Sequence, residues 1–237
     1  MNPFDQSILA FLNSFAHRWW LFDTTVSVIV DAPFLKGGVV MMLIWWEWFR
    51  GDGDILRRRE ILFASLVSCF VALFVARGLA NMLPFRERPV HNLSLQFVLP
   101  YSVSQKALIG WSSFPSDHAT LFFALATALF FVSRRVGVWA MIYVFVVVCI
   151  PRVYVGIHYP TDILAGMVLG GGIVWAGNRP SLRELVARPG MRWLAGNPAS
   201  FYAVLFLLTY QIVTLFEDVR LFGGFFLYLV KHGVSGG

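Results

Sequence analysis

Residues 111 to 132 read WSSFPSDHATLFFALATALFFV, a polar loop that turns into an apolar run at a proline, a serine and an acid. Pro115, Ser116 and Asp117 ahead of such a run predict a helix start. A helix start leaves backbone N–H groups unpaired and carries partial positive charge, so it suits an anion. His118, one turn inside that start, is placed to give or take a proton beside the anion. The helix expected from about Ser116 to Val132 carries no charge beyond its first residues, and that sets the terms for the rest of the chain.

The chain has 237 residues, of which 58% are hydrophobic and 14% charged. Soluble domains are nearer half apolar and a quarter charged. Several runs approach or exceed about 17 nearly uncharged residues, enough to cross a hydrocarbon core of about 30 Å. These features predict an all-α, polytopic membrane protein with six transmembrane helices and N-terminal interfacial helices. Residues 1–33 are expected to form the interfacial helices, 34–217 the six-helix domain, and 218–237 an interfacial tail too short to cross. The net charge of +6 does not point to nucleic acid, because the basic residues sit in short loops between apolar runs, as topology signals do. Cys69 and Cys149 lie inside apolar runs and read as small buried hydrophobes, and no Cys/His cluster has zinc spacing. The N-terminus lacks a basic start followed by a cleavable apolar core, so no signal peptide is expected.

In chain order, residues 4 to 17 place Phe4, Ile8, Leu9, Phe11, Leu12 and Phe15 at near-helical spacing with Asp5, Gln6, Asn13 and Ser14 between them, as in an interfacial helix. Residues 19 to 32 stop at Asp31 and Pro33 and read as a second interfacial or partly inserted segment. Spans are expected at about Phe34–Trp48, with Lys36 snorkelling, then Ile61–Leu83, Ser116–Val132, Val136–Ile150, Pro160–Ala176 and Ala199–Phe216. The loops after the first, third and fifth spans hold four, two and four arginines: Arg50, Arg57, Arg58 and Arg59; Arg134 and Arg135; Arg179, Arg183, Arg188 and Arg192. The positive-inside rule turns these loops to the cytoplasm. The other two loops, and the start of the third span, then share the outer face.

That face gathers three polar clusters. The first is Arg77, Asn81, Arg86, Glu87, Arg88 and Pro89. Arginines there suit phosphate oxygens, although Arg86 and Arg88 taken alone read equally as solvated loop charges. Arg77 sits inside an apolar run, where a charge defaults to a functional or paired role unless it snorkels out. The second cluster is Ser116, Asp117 and His118, which alone reads as a helix cap with an incidental histidine. The third runs from Pro151 to Asp162 and sets His158 and Asp162 four residues apart, on one helix face. A carboxylate on one imidazole nitrogen leaves the other free as nucleophile or base, whereas a structural His–Asp pair is the plainer alternative.

Together the clusters resemble the type 2 phosphatidic acid phosphatase family, which shares its site with vanadium haloperoxidases and bacterial acid phosphatases. The family signature is a lysine, six residues and Arg-Pro; then Pro-Ser-Gly-His; then Ser-Arg, five residues, His, three residues and Asp. This chain matches at Arg88-Pro89, at Pro115-Ser116 with His118, and at Arg152, His158 and Asp162. It departs at Asn81, where the family has the lysine, at Asp117, where it has the glycine, and at Pro151, where it has a serine. Arg77 or Arg86 is left to supply the missing charge, with Arg77 preferred. Asp117 either raises the site's need for arginines or shapes the substrate pocket.

The resemblance implies roles. His158 attacks phosphorus and forms a phosphohistidine, Asp162 orients it, and His118 protonates the leaving oxygen and then activates water. Arg88, Arg152 and Ser116 hold the phosphoryl oxygens, with Arg77 and Asp117 at the substrate. No metal and no cofactor is required, since the arginines supply the positive field. The expected partner is a lipid phosphate substrate among membrane lipids, with no nucleic acid. The expected location is a bacterial inner (cytoplasmic) membrane, with the site facing the periplasm or exterior. A polyprenyl pyrophosphate, undecaprenyl pyrophosphate above all, is the favoured substrate. A phospholipid phosphatase of broad specificity and a lipid phosphotransferase are the runners-up. The presence of His118, His158 and Asp162 argues against a non-enzymatic lipid-binding or channel protein on the same scaffold.

Overall fold

The computed structural model describes residues 2–104 and 108–217. The expected tail at 218–237 lies outside the described residues. Ten α-helices are described, and the chain is all-helical, with no strand among the described residues. They are α1 (Pro3–Asn13), α2 (Trp20–Asp31), α3 (Val39–Phe49), α4 (Ile55–Met82), α5 (Asp117–Val132), α6 (Arg134–Tyr143), α7 (Ile150–Tyr154), α8 (Pro160–Gly177), α9 (Pro180–Gly196) and α10 (Pro198–Val213).

The helix α5 is the axis of the bundle. Its N-cap is Ser116, whose Oγ accepts the Ala119 N–H at 3.4 Å, and Ser133 ends it in extended backbone. Nearly every residue from Ala119 to Leu129 is buried, as befits a helix that is apolar all round. The most extensive contacts of α5 are with α8 and α4.

Glycine explains how close α8 comes. A Cβ on Gly170 would overlap the Thr120 carbonyl, and one on Gly166 would stand 2.7 Å from the Ser116 carbonyl oxygen. Two small residues four apart let two backbones nearly touch, the usual device for packing helices in lipid. The approach also joins the two helix starts, because Ser116 N–H donates to the Asp162 carbonyl at 3.2 Å. Gly170→Leu should therefore force the helices apart, costing about 1–3 kcal/mol of stability. Thermal melting in detergent and phosphate release should fall together; a normal melting temperature with normal turnover would count against this account.

Two helices are longer than hydropathy suggested. The 28 residues of α4 extend the expected span at its start, where Asp54 caps the helix by accepting the Arg57 N–H at 3.0 Å. Arg57, Arg58 and Arg59 thus ride on the helix itself, so hydropathy located the apolar run but not the helix end. The expected fourth span, read as stopping at Pro151-Arg152, continues through a widened π turn at Val144–Cys149 into α7, and Arg152 is buried inside it. The wide turn precedes Pro151, which has no N–H to donate to a regular helical ladder.

Residues 178 to 193, read as an arginine-bearing loop, are mostly α9, with Pro180 in its first turn and an Arg188–Glu184 pair at 2.8 Å. At the other end, α2 and the helical stretch Phe34–Phe49 meet at a 64° bend. The break falls at Ala32-Pro33, where Ala32 is extended, as the residue before a proline prefers.

Three stretches are long and apolar enough to cross a membrane: Ile55–Met82, Arg134–Tyr154 and Pro160–Gly177. The bent pair makes four if it counts as one span. The helices α5 and α10 are apolar but shorter. Large apolar side chains face outward, among them Trp46, Phe74, Trp139, Val168 and Phe206. The helix α1 departs from a simple amphipathic pattern, since Phe4 and Phe11 are exposed while the charged Asp5 is fully buried against the bundle.

Candidate active site

Arg88 ties the three sequence clusters together. Its Nε donates to the Trp111 carbonyl at 3.2 Å, one terminal nitrogen to the Ile157 carbonyl at 2.7 Å, and the other to the Ser112 carbonyl at 3.2 Å. Main-chain bonds repeat the stitching: Ser113 N–H donates to the Arg86 carbonyl at 2.9 Å, and Val90 N–H to the Gly156 carbonyl at 2.9 Å. Loops far apart in sequence are thereby held as one wall.

Behind that wall is a cavity of about 550 Å³. Arg77, Arg88, Asp117, His118, Arg152 and His158 all line it. Ser116 and Asp162 do not. Ser116 is fully buried, and its hydroxyl oxygen accepts the Ala119 N–H at the start of α5. Asp162 is also fully buried, behind His158.

The His158 ring sits in the tight loop between α7 and α8. Its Nδ1 lies 2.8 Å from the Ser113 carbonyl oxygen and 3.5 Å from Asp162 Oδ2. A carbonyl oxygen can only accept, so Nδ1 carries the proton and Nε2 presents its lone pair. Nε2 is 3.5 Å from Arg88. A main-chain carbonyl thus fixes the tautomer that sequence spacing had assigned to Asp162, and the carboxylate adds negative charge close by. Burial pushes the His158 imidazole below its usual range, and Arg88 and Arg152 push the same way against the pull of Asp162. Burial also draws the Arg88 guanidinium down to about 10, although Asp162 and Asp117 favour its charge, so it stays cationic at neutral pH.

Asp162 has further partners. Its Oδ2 accepts the Tyr159 N–H at 2.8 Å, and its Oδ1 accepts from Arg86 at 2.5 Å. Arg152 donates to the Val148 carbonyl at 2.8 Å from within its own helix. Arg77 pairs with Asp117 and lies over the Trp111 ring, 4.6 Å from its centroid. Of the two arginines considered as stand-ins for the family lysine, Arg77 lines the cavity and Arg86 does not. Asn81 lies in a neighbouring recess with Phe85 and Gly110.

Motif spacing missed Lys36, which also lines the cavity. The available signal was a cation inside an apolar run. Asp31 and Glu217 share the lining, so the field there is mixed, with Arg88 at 3.5 Å from His158 Nε2. Among the described residues, no group of three or more His, Cys, Asp or Glu side chains is placed to hold a metal ion. Beside the cavity runs an apolar groove lined by Phe70, Leu73, Phe74, Leu215 and Phe216, which shares Arg77 and Asp117 with it.

The PAP2 superfamily model matches residues 61–179, half of the chain and the part that holds all three clusters. The chain is 24% identical over 158 residues to undecaprenyl-diphosphatase BcrC of Bacillus subtilis, covering 67% of this chain and 74% of that protein. It is 27% identical over 131 residues to the putative undecaprenyl-diphosphatase YbjG of Escherichia coli, covering 55% and 60%. It is 29% identical over 120 residues to an undecaprenyl-diphosphatase of Sulfolobus acidocaldarius, covering 50% and 55%. No solved structure matches it. On the family match and the cavity its motifs enclose, the chain belongs to the PAP2 superfamily, the phosphatases of the type 2 phosphatidic acid phosphatase family.

Proposed function

We propose that this phosphatase removes the terminal phosphate of a polyprenyl pyrophosphate, converting undecaprenyl pyrophosphate to undecaprenyl phosphate in the membrane. The observation that carries this substrate class is the union of two spaces. A cavity with two histidines and three arginines adjoins a groove of phenylalanines and leucines. A charged head and a long apolar tail need such a pair. The relatives named undecaprenyl-diphosphatase support the same choice.

In the proposed mechanism, Nε2 of His158 attacks the terminal phosphorus, and the bond to the bridging oxygen breaks. His118 protonates the leaving lipid phosphate. Arg88 and Arg152, with Arg77 at the outer edge, stabilise the phosphoryl oxygens as charge shifts among them. Asp162 offsets the positive charge that His158 gains on phosphorylation. A water deprotonated by His118 then attacks the phosphohistidine, the N–P bond breaks, and phosphate leaves. We place the site on the outer face of a bacterial cytoplasmic membrane, within a six-span layout that counts α5, α10 and the bent pair as spans.

Phosphate release over a panel of lipids tests the substrate, with the His158→Ala protein as blank. Polyprenyl pyrophosphates should exceed phosphatidic acid and phosphatidylglycerol phosphate in kcat/KM. Equal rates would favour a broad phospholipid phosphatase, and a phosphorylated lipid product without free phosphate would favour phosphotransfer.

The nucleophile must be neutral. Because burial and Arg88 lower the His158 imidazole from its ordinary 6.5, the acid limb of kcat/KM should lie below that value. Activity should hold as pH falls towards 6.5 and decline only beneath it. A limb centred above pH 7 would contradict a buried, neutral His158.

A further inference from the structure

Asp5 belongs to none of the three clusters, and it lies on the first helix, 157 residues before Asp162. It is nevertheless fully buried at the start of α8. Its Oδ1 accepts the Thr161 N–H at 2.9 Å, so it satisfies a backbone donor of a helix to which it does not belong. Its Oδ2 accepts the Thr161 hydroxyl at 2.7 Å and one terminal nitrogen of Arg86 at 2.7 Å. The other terminal nitrogen of Arg86 reaches Asp162 Oδ1 at 2.5 Å and Thr161 Oγ1 at 2.9 Å. The guanidinium lies over the Tyr159 ring at 4.2 Å. One arginine therefore bridges two buried carboxylates, and the second of them stands 3.5 Å from His158 Nδ1.

We propose that Asp5 is a positioning residue for phosphoryl transfer: by sharing Arg86 with Asp162, it holds that carboxylate beside His158 and keeps its negative charge available to the phosphorylated ring. The charge balance gives the reason. Arg86 alone would neutralise Asp162, leaving nothing to offset an imidazole that becomes cationic. With Asp5 present, the two acids and one arginine keep a net negative charge behind the ring. The N–H groups at the start of α8 make that surplus tolerable in a buried place. The bridge also explains why α1 turns an acid inward and leaves Phe4 and Phe11 outside.

The inference rests on the phosphatase reading of His158 and Asp162, but not on the identity of the lipid. The test uses the full chain in detergent. In Asp5→Asn, which keeps the size and loses the charge, kcat should fall about tenfold with KM within about twofold, the scale found for groups that orient a histidine from behind. Arg86→Gln breaks the same bridge: it raises rather than lowers the negative charge behind the ring, but it frees Asp162 from its place, so kcat should fall by a similar factor, and this variant carries the test should Asp5→Asn not fold. The double variant should be no slower than the slower single one, because both act through one bridge. Leu9→Ala separates positioning from mere anchoring of α1. It loosens the buried face of the same helix without touching the carboxylates, and kcat should stay within about twofold.

A second readout needs no substrate. The rate at which diethyl pyrocarbonate carbethoxylates His158, followed by peptide mass spectrometry, should fall in Asp5→Asn and not in Leu9→Ala. An unchanged kcat and an unchanged carbethoxylation rate in Asp5→Asn would overturn the proposal. So would an equal loss in Leu9→Ala, or fully additive losses in the double variant. A parent protein that released phosphate from no lipid would sink the phosphatase reading instead, and the carbethoxylation rates would still decide the role of Asp5.

Discussion

Phosphate release falls by at least about 10⁴-fold when His158 is replaced by alanine, the scale expected when a nucleophile is deleted from a unit that works together. The expectation rests on geometry. The ring is buried, its Nδ1 is turned to the Ser113 carbonyl, and its Nε2 faces the cavity beside Arg88. His118 lines the same cavity, but the proposed scheme already occupies it with the leaving oxygen and the water. The arginines remain, so the variant should still bind its lipid. The measurement is phosphate release alongside competition by a non-hydrolysable pyrophosphate. Residual turnover within a hundredfold of the parent would mean that another group attacks phosphorus.

Asp162→Asn is expected to lower kcat by about 10³-fold, less than the loss of about 10⁴-fold seen when the acid behind a catalytic histidine is made neutral and the tautomer is lost, because here the Ser113 carbonyl still holds the tautomer. The amide keeps the oxygen that accepts the Tyr159 N–H, so α8 should still start where it does. What goes is the charge behind His158 and one of the two carboxylates that share Arg86. A melting curve close to that of the parent, with the loss confined to kcat, is the expected result. A loss confined to KM would move Asp162 from the histidine to the substrate.

Several parts of this arrangement are legible in the sequence because they depend on short-range spacing. Ser116 ahead of an apolar run, and Pro160 with Asp162 ahead of another, place two helix starts within a residue or two. Other parts need the fold. The Ser113 carbonyl that orients His158 is main chain, and any residue could have supplied it. Asp5 finds Arg86 and Thr161 at separations of 81 and 156 residues, which no local pattern encodes. Its helix even misleads, since an acid between apolar residues reads as a solvated face. Arg179, Arg183, Arg188 and Arg192 drew attention to topology and away from helicity. Yet they lie on or beside a helix whose buried side is only the small Ala187 and Gly190. Lys36 was legible as an anomaly, while the cavity it lines exists only once the bundle has closed.

Arg88 has a consequence of its own. Three of its five N–H donors are committed to carbonyls of Trp111, Ser112 and Ile157 and a fourth faces the His158 Nε2 lone pair at 3.5 Å, which leaves one for an incoming anion. The side chain is therefore rivet and electrode at once. A lysine would keep the electrode and lose the rivet, because a single ammonium on a flexible stem lacks the rigid planar fork that meets those carbonyls. Any exchange at this position slackens the seam between two loops in the same stroke that it alters the charge.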